Sequence, residues 1–87
     1  MSAQQVTVYG TGWCPDTIAA RQSLKNLGVP FKYVDIERDD AGNSWVLKQN
    51  NGKRKMPTVD VSGKVLSIPD EAELQTALIE KGLLADA

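Results

Sequence analysis

Histidine is absent from the chain and cysteine occurs once, as Cys14. One cysteine excludes an internal disulfide framework. Without histidine it also leaves zinc short of ligands, because zinc takes several Cys or His side chains. No apolar run approaches the length needed to cross a bilayer. Met1-Ser2-Ala3-Gln4-Gln5 holds no basic residue and leads into no apolar stretch of signal-peptide length. The expectation is a cytoplasmic protein that does not engage a membrane. Surplus charge is missing too: 10 Lys and Arg against 11 Asp and Glu leave a net −1. That excludes a generally basic nucleic-acid binder. Repeats, low-complexity tracts and linkers are absent. What remains is 87 residues, 41% of them hydrophobic, enough for one core and one domain spanning 1–87.

Val6-Thr7-Val8-Tyr9 alternates in the manner of a strand, and Gly10-Thr11-Gly12 breaks it into a loop. Pro15 suits the first position of a helix, with Cys14 just before it. Ile18, Ala20, Leu24 and Leu27 are expected on its inner face, and Gly28 and Pro30 stop it. Phe31-Lys32-Tyr33-Val34-Asp35-Ile36 reads as a second strand. Asp39 or Asp40 can cap a second helix that carries Trp45, Val46 and Leu47 and ends at Asn50-Asn51-Gly52. Thr58-Val59-Asp60-Val61 and Lys64-Val65-Leu66 flank a two-residue Ser62-Gly63 turn. Asp70 and Glu73 have capping-box spacing at the start of a last helix, with Leu74, Ala77 and Leu78 inward. The order β-α-β-α-β-β-α predicts an α/β fold: a mixed four-stranded sheet with helices on its faces, the first two strands parallel and the last two antiparallel.

Cys14 therefore falls where a strand's loop meets a helix N-terminus. Unpaired backbone N–H groups and the helix dipole favour negative charge there. A thiolate is the nucleophilic form of cysteine, and this position stabilises it. The plainer alternative, a small buried hydrophobe with an inert S–H, fits an unplaced cysteine better than one at a helix start. Gly10 and Gly12 let the backbone close around the sulfur and leave room for a substrate. Asp16 suits the helix start but raises the cost of charge on the nearby thiol.

Gly12-Trp13-Cys14-Pro15-Asp16-Thr17 after a first strand resembles the active-site loop of glutaredoxins. Lys55-Met56-Pro57-Thr58-Val59 is similar to their cis-proline segment, and Phe31 to Ile36 to their second strand. The likeness runs in matching order from about Val6 to Leu84. Within the family, mycoredoxins, the glutaredoxin-like proteins of actinobacteria, resemble the chain at Tyr9-Gly10-Thr11, Asn50-Asn51-Gly52, Arg54 and Pro69. Thr17 stands where dithiol members have a second cysteine. Pro15-Asp16-Thr17 differs from the Gly-Phe-Ser of the monothiol iron–sulfur class, and Thr11 stands where a basic residue is common.

The resemblance implies a thioredoxin-like (glutaredoxin) fold and a thiol–disulfide oxidoreductase with Cys14 as the catalytic residue in a monothiol cycle. It implies a thiol-binding groove of Thr11, Trp13, Pro15, Thr17, Arg54, Lys55, Met56, Pro57, Pro69 and Asp70. The co-substrate is a low-molecular-weight thiol such as glutathione or mycothiol. The partners are protein mixed disulfides, the protein acts as a monomer, and no resident cofactor or metal is needed. Thr17 cannot resolve a disulfide but could donate a hydrogen bond to the sulfur. Two alternatives stand beside this reading: a module binding an iron–sulfur cluster between two chains, and a redox-inactive adaptor. Lys48 and Lys53-Arg54-Lys55 form either an anion clamp or a solvated loop. Trp13 could be a surface platform, whereas Tyr9, Phe31 and Trp45 are expected in the core. Ser67-Ile68-Pro69-Asp70 is a helix cap by default and, by resemblance, a contact for the amino end of a bound thiol.

Overall fold

The computed structural model describes residues 5–85. Apart from Gln5, the opening segment read as free of a signal sequence lies outside the described residues, as do the last two positions of the expected 1–87 domain. The elements are β1 (Val6–Gly10), α1 (Pro15–Asn26), β2 (Lys32–Asp35), α2 (Asp40–Gln49), β3 (Thr58–Val61), β4 (Lys64–Ser67) and α3 (Glu71–Glu80). This is the expected β-α-β-α-β-β-α order. The sheet runs β2-β1-β3-β4. β1 pairs parallel with β2 and antiparallel with β3, and β3 with β4 antiparallel.

The alternation in β1 decides which side becomes the core. Val6 and Val8 lie opposite Val61 and Val59 in the register and share one face with them. Ala20 and Leu24 of α1 and Leu74, Ala77 and Leu78 of α3 cover that face. Leu24, Leu74 and Leu78 are fully buried, each stabilising the fold by about 1.5–3 kcal/mol. Tyr9 points to the other face and stacks on Trp45 of α2, ring centroids 4.3 Å apart. Expected in the core, these two rings are half-buried, because α2 alone shields that face; Phe31 likewise flanks the core rather than filling it.

The inner stripe of α1 differs from expectation by one residue. Ile18 is 50% exposed, and Thr17 takes the inward position with Ala20 and Leu24. One residue turns a helix by about 100°, so Thr17, Ala20, Leu24 and Leu27 form the true stripe. Apolarity favoured Ile18; the space beneath the helix start favours Thr17, because Gly10 has no side chain to occupy it.

The turns follow from local chemistry. Ser62 and Gly63 take φ of 50° and 98° in the hairpin, Gly28 takes 73° past the end of α1, and Asp39 caps α2 by accepting from the Gly42 amide at 2.8 Å. Asp70 accepts from the Glu73 amide at 2.8 Å while Glu73 accepts from the Asp70 amide at 3.0 Å. Asp70→Ala breaks this reciprocal cap and is expected to cost about 1 kcal/mol in chemical denaturation. Asp70→Asn should retain most of it.

Candidate active site

Cys14 is the N-cap residue of α1, with extended backbone (φ −79°, ψ 121°) and Pro15 following at the helix start. Its amide donates to the Thr11 carbonyl at 3.3 Å, and its carbonyl accepts from Ile18 at 3.0 Å. The loop from Thr11 is thereby closed onto the helix. The residue is 8% exposed. Its Sγ faces the Met56 carbonyl at 4.0 Å, a long contact. Thr11, wholly buried, donates through Oγ1 to Met56 Sδ at 3.6 Å. The segment before β3 is therefore laid against the thiol loop at two points, both through Met56. The Met56–Pro57 peptide is cis, as the resemblance implied.

A buried knot that sequence reasoning missed holds this segment. Asn50 donates through Nδ2 to the Val46 carbonyl at 2.8 Å and to Thr58 Oγ1 at 3.1 Å, and its Oδ1 accepts from Ser67 at 2.5 Å. Thr58 Oγ1 in turn donates to the Lys55 carbonyl at 2.8 Å. In the sequence Asn50 is a helix-ending residue, and nothing there signals partners so far along the chain. Beyond the knot, the Ile68 amide donates to the Pro57 carbonyl at 2.8 Å. This draws Pro69, buried, and Asp70 toward the same segment. Ile68 adopts φ 49°, strained for a β-branched residue, and is 47% exposed.

A cleft of about 280 Å³ opens between α1 and the start of α3, lined by Asp16, Ala19, Ala20, Ser23 and Ile68 to Glu71. A larger depression of about 330 Å³ on the β4–α3 side contains no residue of the thiol loop. The basic side chains are arranged differently from expectation. Lys53, Arg54 and Lys55 are exposed and make no ion pair among the described residues. Lys55 contributes its carbonyl to the site, not its ammonium. The solvated-loop reading describes their positions, and the clamp reading needs a ligand to gather them.

The sequence allowed Thr17 to donate a hydrogen bond to the sulfur, and the structure shows no such bond. The Thr17 hydroxyl is buried and has no hydrogen-bond partner. It packs against Gly10, where a Cβ would overlap its Oγ1 and come within 2.7 Å of its Cγ2. The side chain is turned under the loop toward β1, because that is where glycine leaves space.

On the β2 side, Trp13 is 63% exposed and its indole N–H donates to Glu37 Oε1 at 3.1 Å. Asp35 accepts from the Glu37 amide at 3.0 Å and lies 3.8 Å from Arg38. Tyr33 stands behind this pair, its hydroxyl 4.0 Å from where a Cβ on Gly12 would be. Burial, and then the charge of Asp35, push its phenol above the usual value near 10, with Glu37 and Cys14 adding to the shift and Arg21 opposing it. Arg21 stacks over the ring at 4.0 Å. Neither Arg21 nor Tyr33 was singled out by sequence reasoning, since the contact crosses from helix to strand with no local pattern. Among the described residues no group of three or more His, Cys, Asp or Glu side chains gathers as a metal site, and no helix is long and apolar enough to cross a membrane.

The family model described as Glutaredoxin matches residues 6–66. Mycoredoxin 1 of Corynebacterium glutamicum is 40% identical over 58 residues, covering 66% of this chain and 70% of the relative. The fold is similar to that of oxidized glutaredoxin 2 from Chlamydomonas reinhardtii, with a TM-score of 0.71 at 27% identity, covering 92% of this chain and 84% of the other. A buckwheat glutaredoxin–glutathione complex shares the fold with a TM-score of 0.71 at 22% identity, covering 93% and 82% of the two chains.

Proposed function

Because the chain belongs to the glutaredoxin family, we propose that it is a monothiol thiol–disulfide oxidoreductase of mycoredoxin type. Its single domain acts as a monomer in the cytoplasm, where a lone cysteine persists as a thiol. The observation that carries this reading is the placement of Cys14 at the N-cap of α1, with Thr17 at the next turn where a resolving thiol would be. The substrate is a mixed disulfide between a protein and a low-molecular-weight thiol. The Cys14 thiolate attacks the small thiol's sulfur, the old S–S bond breaks, and the protein leaves as a thiolate. A second small-thiol molecule, as thiolate, attacks the Cys14 adduct, releasing Cys14 and a small-molecule disulfide. In the net exchange one free small thiol is consumed, the protein sulfur returns as a thiol, and the small-thiol half of the mixed disulfide leaves joined to the second small thiol as their disulfide; no metal is needed.

The small thiol is of the glutathione or mycothiol kind; glutathione is the molecule bound in the buckwheat relative's complex. It lies along Met56 and Pro57, with Pro69 and Asp70 at its far end. Arg54 and Lys55 swing onto its carboxylates, Thr11 holds Met56 from beneath, and Trp13 and Pro15 form the rim. Thr17 supports the loop from below. Mass spectrometry after exposure to the oxidised small thiol should find one thiol on Cys14, and turnover of a mixed disulfide should rise with small-thiol concentration. Cys14→Ser should abolish both. Transfer that survives in this variant, or a Cys14 that takes up no thiol, would reject the proposal.

A further inference from the structure

The two walls of the small-thiol path described above belong to different elements, Met56-Pro57 before β3 and Ile68 to Asp70 after β4. One buried side chain joins them. Asn50, at the end of α2, reaches the point where Thr58 and Ser67 face each other across the β3–β4 ladder. Its Nδ2 commits both protons, one to the Val46 carbonyl at 2.8 Å and one to Thr58 Oγ1 at 3.1 Å. Its Oδ1 accepts from Ser67 at 2.5 Å. The amide has one workable orientation, because turned over it would set its oxygen against the Val46 carbonyl. Thr58 Oγ1 accepts from Asn50 and sends its single proton to the Lys55 carbonyl at 2.8 Å. A buried network with every member satisfied holds one arrangement.

The consequence falls at Met56. Among the described residues only the Met56–Pro57 peptide is cis. The Lys55–Met56 peptide is therefore trans, and its carbonyl and N–H point in opposite directions. Thr58 draws the Lys55 carbonyl inward, which turns the Met56 N–H outward, where it has no acceptor among the described residues. On the other wall Asn50 holds Ser67, and the next residue, Ile68, donates its amide to the Pro57 carbonyl at 2.8 Å. We propose that Asn50, acting through Thr58, is a positioning residue for the small thiol. It presents the Met56 N–H to the thiol's cysteinyl carbonyl and, through Ser67, sets the distance from that donor to Pro69 and Asp70. This rests on the monothiol reading, which lays the thiol along Met56 and Pro57. Neither Asn50 nor Thr58 bonds to Cys14, whose Sγ faces the Met56 carbonyl. The knot therefore acts on capture of the thiol, not on the attacking sulfur.

The test follows two reactions in the same variants. Transfer is measured on a cysteine peptide in mixed disulfide with glutathione and, separately, with mycothiol. Alkylation of Cys14 by iodoacetamide reports the sulfur alone, since that reagent needs no groove. Thr58→Val keeps the shape of the side chain and removes the hydroxyl. Its KM for whichever mixed disulfide the wild type prefers should rise about tenfold, the loss of one ordinary hydrogen bond. Its kcat and alkylation rate should stay near wild type. Asn50→Asp should act alike, because a carboxylate draws the Thr58 proton to itself and frees the Lys55 carbonyl. Thr58→Ser keeps the hydroxyl and should return KM to the wild-type range. A KM unmoved in Thr58→Val, or raised equally in Thr58→Ser, would overturn the inference while leaving thiol transfer intact. So would variants that lose only resistance to denaturant. Binding is read apart from turnover by NMR of the Met56 amide in Cys14→Ser protein, titrated with reduced glutathione and reduced mycothiol. The signal should move saturably, with a Kd about tenfold weaker once Thr58→Val is added. That result supports the role even if the wild type transfers no thiol, which would sink the monothiol reading alone. A Met56 amide unmoved by both thiols rejects it.

Discussion

Gly10→Ala is expected to destabilise the fold by about 1–3 kcal/mol, the cost of adding atoms to a filled interior, and Thr17→Ala is expected to return most of that loss. Gly10 is buried at the end of β1, and its carbonyl accepts from the Ile36 amide at 3.0 Å. The strand therefore cannot slide away without giving up a sheet bond. A Cβ there would overlap Thr17 Oγ1, approach Cγ2 at 2.7 Å and stand 3.1 Å from Cβ. Thr17 cannot rotate clear, because it is β-branched in the first turn of α1 and wholly buried. Removing the hydroxyl and methyl leaves only the 3.1 Å contact, which a small shift relieves. Thr17→Ala alone should change stability little: the lost methyl packing is offset by the loss of a buried hydroxyl with no partner. Chemical denaturation of the wild type, both single variants and the double variant closes the cycle. A coupling of about 1–2 kcal/mol is expected, within the range for residues in contact. Additive effects would mean that Thr17 does not occupy the space over Gly10.

The same pair shows which parts of this protein can be read along the chain and which cannot. Local signals sufficed where both partners lie within a few residues. Ser62-Gly63 announced its hairpin, Asp70 and Glu73 their reciprocal cap, and Pro15 after Cys14 the start of α1. The alternation of Val6 and Val8 also marked the core face, because a strand buried on one side must repeat every second residue. Contacts between distant residues left no such trace. The inward turn of Thr17 in place of Ile18 depends on what β1 lacks at Gly10. The hold of Asn50 on Thr58 and Ser67, and the stacking of Arg21 on Tyr33, exist only once helix and strand are packed. Cys14 was legible as a helix-start thiol, while the groups that surround it came mostly from other elements. Of the basic run, the polar group that meets Thr58 is the Lys55 backbone carbonyl, and backbone positions are not written in side-chain identity.

Thr17→Cys is expected to convert the protein from a species with one thiol to one that closes an intramolecular disulfide under mild oxidation. Position 17 is the third residue of a helix whose N-cap is Cys14, so the two Cβ atoms lie one turn apart on neighbouring faces. The extended backbone of Cys14 (φ −79°, ψ 121°) lifts its side chain off the helix axis and back over the first turn. Thr17 now directs its branches toward Gly10. A cysteine has a single γ atom, so it can leave that space and turn its sulfur toward Cys14 without meeting Gly10. The exchange also removes the buried hydroxyl that has no partner, which should limit any loss of stability. Closing so short a loop requires little chain ordering in a helix start that is already formed. In the proposed monothiol cycle the wild type depends on a second small-thiol molecule to release Cys14. In the variant the second thiol can attack the adduct from within, and turnover should lose part of its dependence on small-thiol concentration. Counting free thiols after mild oxidation reads the first effect: two before and none after in the variant. The wild type can lose its thiol only by joining another molecule, which its mass would reveal. Two thiols persisting in the oxidised variant would show that positions 14 and 17 do not face each other. The helix start would then have to differ from the geometry on which the monothiol reading rests.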